Sequence, residues 1–406
     1  MPKYIYAAVL GGFLLILAYQ PKESKPVEED SDTPNRLVAE TQIPASFPTK
    51  DWPESTPSEQ GMDEQVLEAL DEEIAAGKHG YVDGMLVIRN GHVVYERAYP
   101  QDYETLFNAQ AAQQRGPYNY YDPEWHPYYK GGNLHTMQSV SKSVMATLIG
   151  IAIKRGEIEN TSVRAADFLA NYQAPDTDPR RARMTLEHLL TMTAGIEWDE
   201  DSYDYTDPRN SCAVMESLDD WAAYVWGLPM AAEPGSTYVY NSGVTMLINQ
   251  VLHQATGEHA LAYAEEHLFA PLGITEFYWK QTPAGETDAE GGLYLTPRDL
   301  AKIGYLYAMD GVWEGKRLLP EGWVQRATSP LSDPDHRTWR YGYQWWLAPY
   351  EGGMQSYSWQ GSGFGGQQLI VLPEYDLVAV FTAWNIWDEQ SLDDDHVLSV
   401  LLDAMR

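Results

Sequence analysis

Ser139-Val-Ser-Lys142, followed by Ser143-Val-Met-Ala-Thr-Leu-Ile-Gly-Ile-Ala-Ile153, is the stretch on which the reading of this chain turns. It is the only Ser-x-x-Lys in the 406 residues. Residues three apart share a helix face, so a hydroxyl at 139 and an ammonium at 142 meet one turn apart. A serine hydroxyl becomes a nucleophile when a neighbouring base takes its proton, and a desolvated lysine can be tuned to assist. Val140, Val144, Met145, Leu148, Ile149, Ile151 and Ile153 make the segment apolar on nearly every side, which predicts a buried helix. A lysine inside such a helix needs partners or a lowered pKa. Taken alone, the pattern has a second reading, with Ser139 an N-cap and Lys142 a first-turn surface residue.

Outward from this helix, Asp63 to Ala76 carries Val66, Leu67, Leu70 and Ile74 at helical spacing. Gly84 to Glu96 alternates around Asn90-Gly91, a hairpin signal. Residues 101–135 are dense in Tyr, Gly, Pro and Trp and read as a loop, whose aromatics either pave a site entrance or cover a core. Helical patterns recur at 212–228, 243–256 and 259–269, and again at 296–310 after a Thr296-Pro297 cap. Strands return at Gly342 to Trp346, Gln367 to Leu372 and Leu377 to Ala383, before a last helix from Asp393 to Met405. With strands at both ends and helices between, the pattern predicts an α/β (α+β) fold. One antiparallel sheet is built from both chain ends and flanked by helices, with a mainly helical lobe inserted at about 135–290. A site is then expected in the cleft between sheet and lobe.

The net charge of −32 argues against a nucleic-acid partner, because phosphate binding needs a basic face. Cys212 is the only cysteine, which excludes an intrachain disulfide and a zinc–thiolate cluster and leaves a buried thiol as the expectation. His-Glu-x-x-His, Gly-x-Ser-x-Gly and a Gly-rich phosphate loop are all lacking, so metalloprotease, α/β-hydrolase and nucleotide-binding readings fall away. At the N-terminus Lys3 precedes an apolar run from Tyr4 to Ala18, a signal peptide or membrane anchor over residues 1–19. Residues 20–57 then read as a disordered acidic, Pro-rich linker ahead of a domain at 58–406. Export is the expectation, to the periplasm or anchored facing the exterior, with membrane association through that segment.

Two further segments join Ser139 and Lys142. Tyr238-Val-Tyr240-Asn-Ser242-Gly243 follows the turn Glu233-Pro-Gly-Ser236 and precedes an apolar helix, so a phenol and a hydroxyl stand at a loop-to-helix junction. Gly361-Ser362-Gly363-Phe364-Gly365-Gly366-Gln367 leads into a strand, where glycines let a substrate backbone come close. Ser139-x-x-Lys142, Tyr240-x-Ser242 and the Gly-rich strand entry, in this order, resemble the penicillin-recognising serine hydrolases. The resemblance is to the class C β-lactamase-like branch that holds esterases, DD-peptidases and 6-aminohexanoate-dimer hydrolases. His188-Leu-Leu-Thr-Met-Thr-Ala-Gly-Ile-Glu-Trp-Asp199 and Gly291-Gly-Leu-Tyr-Leu-Thr-Pro-Arg-Asp-Leu300 add to it, over about residues 60–405.

That resemblance implies a β-lactamase/transpeptidase-like fold and a Ser139 acyl-enzyme on a small-molecule ester or amide, with no cofactor and no metal. Lys142 and Tyr240 share acid–base work, the ammonium lowering the phenol's pKa or a neutral amine taking the serine proton. Ser242 holds Lys142 or the substrate. The backbone N–H groups of Ser139 and Phe364 form an oxyanion hole beside Gly361, Ser362 and Gly363. Two departures stand out: Ser242 occupies a position commonly Asn, and Gly361 falls where a Lys or His usually begins the third motif. The missing cation favours esters or amides over β-lactams. A DD-peptidase or β-lactamase, and an inactive cell-wall-binding protein, are the alternatives. His135 and His188 carry no supporting motif, His188 reading as structural, and the acidic loop Asp199-Glu200-Asp201 reads as solvated.

Overall fold

A computed structural model describes residues 47–111, 134–172, 178–205, 207–334, 338–350, 356–386 and 391–405. The apolar segment at 4–18, most of the expected linker and the aromatic stretch at 117–130 lie outside the described residues. Twelve strands run in chain order: β1 (Val82–Arg89), β2 (His92–Ala98), β3 (His135–Thr136), β4 (Tyr278–Trp279), β5 (Leu293–Leu295), β6 (Val312–Trp313), β7 (Lys316–Arg317), β8 (Arg340–Tyr341), β9 (Trp346–Pro349), β10 (Tyr357–Gly363), β11 (Gln367–Leu372) and β12 (Leu377–Ala383). Seven form an antiparallel sheet in the order β2-β1-β12-β11-β10-β9-β8, so the two ends of the domain meet where Val82 pairs with Ala383 and Arg89 with Leu377. The turn between β1 and β2 is Asn90-Gly91, both at positive φ, as a two-residue hairpin of right-handed twist requires.

Period-two alternation makes this sheet the middle of three layers. Leu86, Ile88, Leu369, Val371, Val378 and Val380 face the core shared with the Val140–Arg155 and Pro297–Ala308 helices. Met85, Val87, Ile370, Ala379 and Phe381 face the opposite core, shared with Glu64–Ala75 and Asp394–Asp403. Every residue from Val140 to Ala152 is buried, which is why that helix needs no polar face. Asp63, Asn241, Thr296 and Asp393 cap their helices through side-chain oxygens.

Four expectations change. The pattern at 212–228 is two helices, Ser211–Glu216 and Trp221–Gly227, because Asp220 starts the second with its own cap. The strand expected at Gly342 to Trp346 is instead the break between β8 and β9, only Trp346 lying in a strand, since Gln344 sits at φ 57, outside strand geometry. Gly361 to Gly363, read as a strand entry, is itself the end of strand β10. The linker ends before residue 57: Trp52 is buried, its indole N–H donating to the Arg298 carbonyl at 3.0 Å, and Phe47 packs on Tyr305 and Trp313. No helix of the described residues is long and apolar enough to cross a membrane.

Candidate active site

The approach to Ser139 is held from both sides. Met137 N–H donates to Leu293 O at 2.8 Å, tying the segment to β5. Gln138 then takes φ 45, an unfavourable conformation for a residue with a Cβ, and so turns the chain sharply into the helix. The N–H groups of Val140, Ser141 and Lys142 are used on Met137, Gln138 and Ser139 carbonyls, whereas that of Ser139 has no acceptor among the described residues. Ser143 Oγ donates to Gln344 O at 2.6 Å, and the Gln344 amide reaches Leu189 O and Leu190 O while accepting from Thr245 Oγ1. One residue in left-handed geometry thereby couples the Val140–Arg155, Leu186–Leu190 and Ser242–Thr256 helices.

Ser139 is half-buried amid buried neighbours, and Lys142 is 1% exposed. The Lys142 ammonium donates to Ser139 Oγ at 2.9 Å, to Glu290 O at 2.8 Å and to Glu290 Oε2 at 3.2 Å. It lies 5.4 Å from the centre of the Tyr240 ring, and the Ser139 side chain stands near enough to the Tyr240 phenol to draw its pKa down. The Tyr240 ring stacks on Trp346 at 5.8 Å and 23°, which fixes its tilt. Ser139, Lys142 and Tyr240 therefore meet at one point although Tyr240 is a hundred residues away in the chain.

The electrostatics differ from expectation. Burial pulls the Lys142 pKa down, but Tyr240, Glu290, Glu200 and Cys212 together raise it above the ordinary lysine value. Burial raises the Tyr240 phenol as well, outweighing the opposite pull of Lys142 and of Ser139. The resting pair is an ammonium beside a neutral phenol, not a free amine or a phenolate.

Ser242 is also redirected. Its Oγ donates to Glu200 Oε1 at 2.6 Å and its N–H to Glu200 Oε2 at 2.8 Å. Of the two partners expected for it, Lys142 is not one, since the three ammonium protons are aimed at Ser139 and Glu290. Glu200 is 3% exposed and also accepts from Trp198 Nε1 and Tyr205 Oη, both at 2.8 Å. The loop read as solvated hence supplies a buried anchor. The capping role belongs to Asn241, which accepts from Val244 N–H.

Along β10, side chains alternate across the sheet. A Cβ on Gly361 would stand 2.9 Å from Val140 Cγ1, and one on Gly363 would stand 2.4 Å from Met137 O. Both glycines face the Ser139 helix and allow its close approach. Ser362 faces away, 3.4 Å from Asp394 Oδ2, so its side chain does not reach the site. Phe364 follows at the turn closed by Gly366 N–H on Gly363 O, its ring 5.0 Å from Tyr205.

His135 is occupied elsewhere: Nε2 pairs with Asp83 at 2.8 Å and Nδ1 meets Thr136 O at 2.9 Å. With acceptors at both nitrogens, its pKa is raised despite burial, so it is no base. A cavity of about 630 Å³ lined by Asp83, Tyr103, His135, Thr382 and Trp384 includes none of Ser139, Lys142 and Tyr240. His188 closes its own capping box with Thr185. Cys212 is buried and its thiol pKa pushed well up by burial.

Glu216 and Glu290 were not singled out by sequence reasoning, and Glu200 was read only as part of a solvated loop. Their partners lie up to 148 residues away, and no local spacing announces them.

A sequence model described as beta-lactamase matches residues 67–401. The 6-aminohexanoate-dimer hydrolase of Paenarthrobacter ureafaciens is 26% identical over 307 residues, 69% of this chain and 74% of that protein. Among solved structures, EstCE1, a hydrolase with promiscuous acyltransferase activity, superposes with a TM-score of 0.63 at 14% identity, covering 86% of this chain and 100% of that one. The octameric penicillin-binding protein homologue from Pyrococcus abyssi gives 0.59 at 17% identity, covering 83% and 77%. At these identities the superpositions speak for the fold.

Proposed function

The chain belongs to the beta-lactamase family, and on that premise we propose that it is a serine hydrolase of uncharged small esters or linear amides, working through a Ser139 acyl-enzyme. The observation that carries this reading is the enclosed Lys142 ammonium, 2.9 Å from Ser139 Oγ and 5.4 Å from the centre of the Tyr240 ring.

Attack by Ser139 Oγ on the carbonyl needs its proton removed. The resting pair is fully protonated, so the competent form is the one in which Lys142 and Tyr240 together have lost one proton. Tyr240 then takes the serine proton, and the pair returns it to the leaving oxygen or nitrogen before water repeats the cycle. The unpartnered Ser139 N–H at a helix start, together with Phe364 N–H at the end of β10, suits the developing oxyanion.

The lactamase or peptidase alternative is weakened by packing. A lysine or histidine in place of Gly361 would put its Cβ 2.9 Å from Val140 Cγ1, so this position cannot present a cation to a substrate carboxylate while the helix stays where it is. Glu200 and Glu290, both buried near Lys142, further disfavour an anionic substrate.

The test is intact-mass analysis after a fluorophosphonate probe, on wild type and Ser139→Ala, followed by rates on p-nitrophenyl esters, linear anilides and nitrocefin. One adduct that vanishes in the variant, with esters turned over faster than nitrocefin, is the expected result. A folded wild type that takes no adduct overturns the proposal in favour of a binding protein. We also propose export through residues 1–19, tested by fractionating cells that express the full chain.

A further inference from the structure

Behind Lys142 lies a polar chain that the hydrolytic scheme above does not use. Glu290 stands in the turn between Lys280 and β5, where Gly292 N–H closes on Asp288 O at 3.1 Å and Trp279 Nε1 donates to the same carbonyl at 2.7 Å. Asp288 is paired with the buried Lys280 at 3.0 Å, so the turn is anchored by an ion pair of its own. Glu290 offers two acceptors to Lys142, its backbone carbonyl and one carboxylate oxygen. On its far side the carboxyl of buried Glu216 comes within 4.8 Å of its own. Two carboxyls this close inside a protein resist both being charged.

We infer that Glu290 is a positioning residue for the reaction: it clamps Lys142 as an ammonium aimed at Ser139 Oγ. This rests on the reading of Ser139 as the nucleophile. Burial and the neighbouring Glu290 carboxyl push the Glu216 pKa well up. The groups facing Lys142 are Tyr240 and Glu200 from the helical lobe, Glu290 from the turn before β5, and Cys212 from the Ser211–Glu216 helix. Among the described residues Glu290 is the one carboxylate bonded to Lys142, and so the strongest handle on its proton affinity.

The sign follows directly. A neutral side chain at 290 keeps the backbone carbonyl contact and removes negative charge, so Lys142 releases its proton at lower pH. An opposite charge this close shifts a pKa by about 1–3 units, and Glu290→Gln should move the alkaline rise of the reaction down by about that amount. Glu216→Gln changes a group that does not contact Lys142 and should leave the rise where it is.

The experiment is the rate of fluorophosphonate labelling of Ser139, read by intact mass against pH, for wild type, E290Q and E216Q, with melting curves at each pH. A downward displacement in E290Q with E216Q superimposed on wild type is the expected result. Labelled, folded E290Q whose profile is unmoved overturns the inference, as does an E216Q profile displaced like that of E290Q. Where Gln at 290 prevents folding, Glu290→Asp keeps the charge one methylene further back and should shift the profile the same way by less; no shift there is equally fatal. Absence of labelling in wild type is a separate outcome, which removes the nucleophile itself.

Discussion

Replacing Glu200 separates what its four hydrogen bonds do from what its charge does. Both oxygens are saturated: Oε1 accepts from Ser242 Oγ and Tyr205 Oη, Oε2 from Ser242 N–H and Trp198 Nε1. Glu200→Ala strands these donors in a buried site. At roughly 1–3 kcal/mol for each group left unsatisfied, the loss is about 4 kcal/mol or more even if water rescues some of them. That is a large share of a native stability of about 5–15 kcal/mol. Glu200→Gln behaves differently. Its carbonyl can stand at the Oε2 position for the two N–H donors, while its NH₂ donates to two hydroxyls that rotate to accept. Charge-assisted bonds become neutral ones, a loss of about 2 kcal/mol. Equilibrium urea unfolding of the three proteins measures both figures, with refolding checked at each midpoint. The reasoning is refuted if Glu200→Ala loses under about 1 kcal/mol, or if the alanine and glutamine variants unfold together.

Other perturbations read out other contacts. Tyr240→Phe should keep its stacking on Trp346 and its fold, yet lose roughly 10²–10⁴ in ester kcat, since general acid–base groups contribute about that much; a loss below tenfold would reassign the base. Because Lys142 and Tyr240 are both raised above their ordinary values, wild-type kcat/KM on a neutral ester should climb steadily with pH and still be rising at about pH 9; a plateau below neutrality would contradict the resting state described. Gly361→Ala forces its Cβ against Val140, an overpacking of about 1–3 kcal/mol that displaces the Ser139 helix, so calorimetry and kcat should fall together. Glu216 binds its proton more tightly folded than unfolded, so its contribution to stability is complete below the unfolded pKa of about 4.3 and is lost as pH rises toward the folded one. Glu216→Gln should therefore raise the urea midpoint at about pH 8 relative to wild type, and a lowered midpoint would place the proton elsewhere.

Local chemistry made part of this legible. Asn90-Gly91 announces its hairpin because positive φ at two adjacent positions is affordable to few residues, and Ser139 and Lys142 announce each other because a helix fixes what lies three apart. Tyr240 could be added through the resemblance, and the structure does set its ring 5.4 Å from the ammonium that contacts Ser139. Glu200 and Glu290 could not be found that way. An acidic residue beside Trp198 looks solvated in any window, and it becomes an anchor only because the Ser242 helix start is set against it from 42 residues away. Ser362 misled for a related reason: glycines on either side suggested a loop, whereas in a strand they define one face and leave the serine on the other. Gln344 breaks its strand to satisfy four partners on three helices, a demand invisible to alternation.

The pairing of Val82 with Ala383 has a further consequence, in time instead of space. As the chain is made from its N-terminus, β1 waits for β12 while nearly three hundred residues are added, roughly 15–60 s at about 5–20 residues per second. Throughout that interval Met85-Leu-Val-Ile88 presents an unpaired apolar edge, the kind of template that recruits other chains. Ribosome-bound nascent chains stopped before Leu377 should accordingly be protease-sensitive and chaperone-bound, and emergence of Leu377 to Ala383 should be the event that closes the sheet.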